Sequence, residues 1–253
     1  MAGYFVSYFP KIRWTHTAEQ STNAGSGSST YPSTTVAGDL LLVLYKSTYP
    51  SVPSGWEEVS LYTTAGPTLI YASIATGTWS TFSFANSTSS PYVAQTYCIY
   101  DWNGTIADDV KVAWANSDDP PSLNPGWGTD DILWLTGVAA RRSDWESGNS
   151  LPANYTDMLT RFNTSSDDVS KQGIVSGRRS LIAASEDPGA LTINSNRNDP
   201  HAFTIAIRPV PPVTIKRYNG TTWENGVLKR YNGNAWEGVR TLKRWNGSTW
   251  VEV

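Results

Sequence analysis

GDLLLVLY, from Gly38 to Tyr45, is the longest aliphatic run in the chain, and it follows a Gly-Asp turn pair. A strand with one wet face alternates apolar and polar residues. Leu40 to Tyr45 does not alternate, so it reads as a strand covered on both faces, in the middle of a sandwich. The run is far too short to span a bilayer. Working outward, turn chemistry follows at Tyr49-Pro50 and Pro53-Ser54-Gly55, and Trp56 opens the next strand. Further short runs read as strands at Thr68–Ala75, Thr81–Phe84, Tyr92–Asp101, Val110–Trp114, Ile132–Ala139, Asp157–Phe162, Ser180–Ala184 and Ala190–Asn194. His201–Arg208, HAFTIAIR, closes the series with clean alternation. Upstream, the segment to Trp14 alternates as a strand, and Ser21 to Thr35 reads as a loop. One helical turn is expected near Ser165–Lys171. Short strands separated by Gly, Pro, Asn and Asp define an all-β chain with an antiparallel β-sandwich or jelly-roll-like domain.

The composition agrees. Of 253 residues, 12 are Trp and 13 are Tyr, while only 16% are charged. No stretch carries the 3.6-residue apolar spacing of a long amphipathic helix. Pro209-Val210-Pro211-Pro212 cannot continue a strand ladder and reads as a stiff spacer. The organisation expected is therefore an N-terminal strand and Ser/Thr/Gly-rich loop over 1–35, a candidate docking segment. A sandwich completed by that strand follows over 36–208, then a proline spacer at 209–212 and a repeat region over 213–253.

That last region holds three copies of one phrase: KRYNGTTWE from Lys216, KRYNGNAWE from Lys229 and KRWNGSTWVE from Lys243. Asn-Gly between β-prone residues is the strongest short hairpin signal, because both turn residues accept positive φ. Each copy reads as a small β-hairpin. With a two-residue loop at Asn219-Gly220, Tyr218 would pair with Thr221 and Lys216 with Trp223, leaving Tyr218 and Trp223 diagonal on one face. The same reading places Tyr231 with Trp236 and Trp245 with Trp250. A two-stranded hairpin of this size cannot offset an ordering cost of ~1–2 kcal/mol per residue. The aromatic faces must pack on each other, on the preceding domain or on sister chains. Tyr218, Trp223, Tyr231, Trp236, Trp245 and Trp250 are thus the candidate assembly residues, with glycan contact as the alternative use of the same rings.

The formal charge of −3 is unevenly distributed. Residues 213–253 carry seven Lys/Arg and three Glu, whereas residues 1–212 carry twelve against nineteen acids. The basic residues recur with the repeat, punctuated by Glu224, Glu237 and Glu252, which fits a solvated face and argues against a nucleic-acid track. Cys98 is alone, so no intrachain disulfide is expected, and it reads as a small core residue. The start, MAGYFVSYFPKIRW, lacks the basic-then-apolar order of a signal peptide.

The order GDLLLVLY, VPSGW at Val52–Trp56, a strand ending Ala75-Thr76-Gly77, DDILWLTGVAA at Asp130–Ala140 and HAFTIAIRP at His201–Pro209 resembles a β-sandwich domain of phage and prophage virion proteins. Tandem hairpins such as the Tyr-Asn-Gly-x-x-Trp units often follow that domain. The resemblance covers most of 36–253. It implies a non-enzymatic tail-fibre, tail-tip, minor tail or capsid-decorating role in the virion, after synthesis in a host cytoplasm. It also implies other virion proteins as partners; small hairpins with one aromatic face suit closed packing around an axis, so a trimer is expected, and their rings make a host surface glycan the candidate ligand. The resemblance supplies no catalytic motif.

The residues themselves offer little chemistry. His16 and His201 are the two histidines, and His201 reads as a strand-edge polar residue. No zinc-ligand spacing, P-loop or nucleophile-elbow pattern occurs, so no cofactor, metal ligand or catalytic residue is expected. The doublets Glu57-Glu58, Asp108-Asp109, Asp118-Asp119, Asp130-Asp131 and Asp167-Asp168 recur beside loops. Neighbours on a strand face opposite ways, so these are not glycosidase pairs. They read as turn and strand-end residues, with chance calcium contacts at Ser117–Pro120 as a lesser reading. Trp56, Trp102, Trp127 and Trp145 read as rings closing the sandwich ends.

Overall fold

The computed structural model describes residues 9–20, 27–30, 34–47, 50–63, 66–77, 81–84, 91–141, 148–163, 171–193 and 198–211, then 214–218, 221, 223–227, 229–231, 236–238, 243–245 and 250–252. At 19–20, 27–30, 81–84, 198 and in the C-terminal strands the description is of backbone alone. The chain divides into two compact units, Phe9–Pro209 and Met1–Tyr8 with Val210–Val253.

The larger unit runs β1 (Lys11–Gln20), β2 (Gly27–Thr30), β3 (Leu40–Ser47), β4 (Glu57–Tyr62), β5 (Thr68–Ile74), β6 (Thr81–Phe84), β7 (Tyr92–Tyr100), α1 (Ile106–Asp109), β8 (Val110–Ala115), β9 (Asp130–Arg141), β10 (Thr156–Phe162), β11 (Gln172–Ala183) and β12 (Asn198–Ile207). Two antiparallel five-stranded sheets result, β1-β7-β3-β5-β4 and β10-β11-β9-β12-β8, with a small β2-β6 pair. The unit is nearly all β, as the sequence indicates. A jelly roll passes successive strands between sheets; here the first sheet uses only β1–β7 and the second only β8–β12, so that variant does not hold.

Both sheets have the same topology. Counting β1, β3, β4, β5, β7 and β8–β12 each as first to fifth, the order in both is first, fifth, second, fourth, third. Register agrees: Leu40 pairs with Ile74 and Ile99, and its counterpart Leu133 pairs with Ser180 and Ile207. Glu57 pairs with Ala72 and Thr156 with Arg178, and each pair is followed by an irregularity that ends at Ser60 and at Leu159.

The inner faces share one core. Leu40, Leu42 and Leu44 from the first sheet cluster with Leu133, Leu135, Phe203, Ile205 and Ile207 from the second. The alternate residues of β3 are equally buried: Val43 and Tyr45 join Leu69, Tyr71 and Tyr92, with Val52, Trp14 and Trp56 packed against them. That covering explains why Leu40–Tyr45 has no polar face. Val52 and Trp56, in the segment between β3 and β4, supply part of that cover, and Trp14 on β1 another part. Gly55 adopts φ 83, the Trp56 N–H donates to the Pro53 carbonyl at 3.2 Å, and the Trp56 ring meets Tyr71 edge-on at 5.3 Å. The second sheet repeats the device: Asn154 has φ 68, and the Tyr155 N–H donates to the Pro152 carbonyl at 3.2 Å. Leu151 and Tyr155 pack on Trp134 and Ile132.

Several expectations require correction. β1 continues through Gln20, and β2 lies inside the segment read as a loop from Ser21 to Thr35. β11 begins at Gln172, eight residues before the strand expected at Ser180. Ala190–Asn194 is no strand among its described residues; Thr192 makes a single bridge to Ser150. Residues 164–170, most of the expected helical turn, lie outside the described residues. A short helix, α1, the one helix among the described residues, lies outside the expected elements; it follows Thr105, whose N–H is accepted by the Asp109 carboxylate at 3.0 Å.

In the smaller unit, β13 (Thr214–Tyr218) pairs with β14 (Trp223–Val227), β15 (Lys229–Tyr231) with β16 (Trp236–Gly238), and β17 (Lys243–Trp245) with β18 (Trp250–Glu252), all antiparallel.

Candidate functional site

The six aromatic candidates fall at matching places in the three two-stranded sheets. Tyr218 lies directly opposite Trp223, Tyr231 opposite Trp236 and Trp245 opposite Trp250. This corrects the register expected from a two-residue loop: Lys216 stands opposite Asn225, and four residues separate Tyr218 from Trp223. The observed register sets Arg217 opposite Glu224 and Arg230 opposite Glu237. Opposite charges across a ladder favour a pairing, and the two-residue alternative would have set Arg217 against Thr222. Because the slip is by two residues, each strand keeps its faces. The side chains at these six positions, and with them the question of packing against glycan contact, lie outside the described residues.

The described loop tryptophans of the larger unit serve its packing. Trp102 is 6% exposed and donates Nε1–H to the Gly38 carbonyl at 2.9 Å. Trp127 lies under the Arg208 guanidinium at 5.7 Å, and Trp56 sits on the outer cluster described above. Trp145 is outside the described residues. Asp109 departs from the strand-end reading of the acidic doublets: it is buried, and its carboxylate accepts from Asn103 Nδ2 at 2.8 Å. Ser117 and Asp119 form a local turn. Residues 167–168 are not described. Among the described residues, no group of three His, Cys, Asp or Glu is placed to hold a metal ion.

Cys98 is buried, as expected, and burial with the neighbouring Asp39 pushes its thiol up to about 12, so it stays a protonated, inert packing residue. Asp39 itself accepts a two-pronged contact from Arg13, Nε at 2.8 Å and Nη2 at 3.1 Å.

His201 is the main correction. It is not a strand-edge residue: it is fully buried in β12, with Nδ1 2.8 Å from Thr68 Oγ1 and 3.3 Å from the Nζ of Lys46. Lys46, at the end of β3, is also fully buried and donates to the Gly66 carbonyl. Burial, then the charge of Arg141, lowers the Lys46 ammonium to about 7, with Asp199 opposing. The Tyr62 ring packs edge-on to the imidazole at 4.5 Å. An amine that is partly neutral near neutrality is a nucleophile in principle. Here it has no exposed surface, so the pair links the two sheets and does not meet a substrate.

A second polar group between the sheets joins β7 to β11. Tyr97 Oη and Ser176 Oγ are 2.6 Å apart, Ser176 bonds Gln95, and Gln95 Nε2 donates to the Ile174 carbonyl at 3.0 Å. Burial raises the Tyr97 phenol, which remains a neutral donor. On the outer side, Arg179 Nη1 meets Glu186 at 2.7 Å and Tyr155 Oη donates to the same carboxylate at 3.3 Å. An open groove of about 460 Å³ runs past Asn154, Thr156, Arg178, Arg179 and Ser180. Arg178 and Arg179 are neighbours on one strand and face opposite ways, held by Asp157 and Glu186, so their guanidiniums do not converge on one anion.

No family model, no curated protein and no solved structure matches this chain.

Proposed function

We propose that this chain is a structural, non-enzymatic component of a phage virion, a tail-fibre, tail-tip or minor tail protein that assembles as an oligomer and faces the host surface. On this reading the larger unit is a β-sandwich, its two five-stranded sheets closing on one apolar core, and the smaller unit is a row of tandem β-hairpins. The observation that carries it is the threefold recurrence of one two-stranded register, Tyr218 with Trp223, Tyr231 with Trp236 and Trp245 with Trp250. Isolated two-stranded pairs of this length are unstable in water, so a chain that keeps three of them supplies them with packing partners. Sister chains around a symmetry axis are the natural source. The order of motifs resembling virion sandwich domains supports the setting.

Light scattering on the full chain and on a chain ending at Pro212 tests the assembly role. A trimer that falls to a smaller species on truncation is expected; the same state for both chains would remove the repeats from assembly. Capsid decoration is the alternative location, decided by where the chain sits on a particle. The paired Tyr/Trp positions favour a second reading, a carbohydrate-binding module for host glycans, because such rings suit sugar faces. Silence on a glycan array, together with every repeat tryptophan shielded from solvent quenchers, would dispose of it.

A further inference from the structure

We propose that Lys46 and His201 form a one-proton contact fastening the two five-stranded sheets together, and that uptake of a second proton releases it, making this end of the unit acid-sensitive. Lys46 belongs to β3 in the first sheet and His201 to β12 in the second, and both are fully buried. Their nitrogens lie 3.3 Å apart, and Nδ1 of His201 is also 2.8 Å from the Thr68 hydroxyl. A neutral imidazole with its proton on Nε2 accepts at Nδ1 from the ammonium or the hydroxyl. If instead Nδ1 carries the proton, Lys46 must be a neutral amine to receive it. The first arrangement holds one positive charge and the second none, so neither sets two cations in contact. A second proton sets ammonium and imidazolium in contact where water does not screen them, and the two sites titrate as a pair.

Arg141, at the end of β9, adds positive potential at Lys46, and Asp199, on β12, opposes it. Tyr62 from β4 and Thr68 from β5 face the imidazole as neutral groups. The internal likeness of the sheets shows that the topology does not require ionisable residues here. Lys46 pairs with Val93 across β3 and β7, and the equivalent pair across β9 and β12 is Ala139 with His201. Each half therefore fills with a small or branched apolar residue the place where the other carries a base.

The test is imidazole-ring NMR with amide hydrogen exchange on the full chain between pH 8 and 5. The chain has only two histidines, so His201 is separable from His16. The expected result is that His201 keeps a neutral ring through the range where an ordinary histidine titrates, around 6.5. When it does take a proton, exchange at residues 46–47 and 201–203 should accelerate at least about tenfold beyond its intrinsic pH dependence, one factor of ten in opening equilibrium. In Lys46→Met the ring should protonate at higher pH and that acceleration should vanish; Lys46→Gln serves if the Met variant fails to fold. A wild-type His201 that protonates near 6.5 with both strands still protected would overturn the proposal on the native chain alone. So would identical acid profiles in wild type and variant.

Discussion

At the scale of single residues, Gly137 and Lys46 carry the sharpest consequences. Gly137 lies opposite Phe203 in the β9–β12 ladder. A Cβ there would meet Phe203 Cζ at 2.6 Å and run into the Val175 carbonyl. Gly137→Ala should cost about 1–3 kcal/mol, read as a lower denaturation midpoint, because overpacked cores shift backbone and rings. Gly77→Ala, where a Cβ meets nothing within 4 Å, should change the midpoint by no more than ~0.5 kcal/mol. Lys46 gives a pH dependence whose sign follows from its lowered ammonium. Between about 7 and 10.5 the unfolded chain holds the proton and the folded chain does not, so stability rises with pH across that window. The gain is on the order of 5 kcal/mol at ~1.4 kcal/mol per pH unit. Urea titrations at pH 7, 8.5 and 10 should show the rise in wild type and a flatter profile in Lys46→Met. Neither base was legible in the sequence as a site. A lysine ending an apolar run ordinarily turns its head to water, and His201 after Asp199-Pro200 looks like a strand entrance. Only the opposing sheet buries them.

At the scale of elements, the strands announced themselves where composition was unambiguous. Thr81–Phe84 and the run from Leu40 were legible because β-branched, aromatic and aliphatic residues sit between strong turn signals. The first half of β11, QGIVSG, was missed because its two glycines read as loop, whereas Gly177 leaves room for the Leu151 side chain. The repeats were legible as paired strands, but not in register. Asn-Gly is satisfied by two-residue and longer loops alike, and the Arg–Glu cross-strand positions are what the observed pairing adds. The segments crossing the outer faces were read as turns without their covering role. Their geometry is testable: Gly55 holds φ 83 and Asn154 φ 68, a region where alanine is strained. Gly55→Ala should lower stability by ~1–2 kcal/mol. Gly55→Asn should lower it less, since asparagine occupies the same conformation in the second copy of the turn. Comparing midpoints in urea for the two variants decides it.

At the scale of the whole molecule, the larger unit is two five-stranded sheets of one topology, each with a Pro-initiated turn folded over its outer face. Little of that likeness survives in the sequence. Ser51-Val52-Pro53-Ser54-Gly55-Trp56 and Ser150-Leu151-Pro152-Ala153-Asn154-Tyr155 are the clearest trace, since a left-handed turn and a large ring are what the fold needs there. Elsewhere any residue of suitable volume and polarity serves, so the pattern is kept and the letters are not. The chain thus joins two five-stranded sheets to three two-stranded ones, and the proposed assembly role rests on the latter. The direct measurement is to band particles made by the encoding genome on a density gradient and label them with an antibody to this chain. The proposed role requires the chain to co-migrate with intact particles and the label to sit on their surface. A chain found only in the soluble fraction, with particles unlabelled, would contradict it.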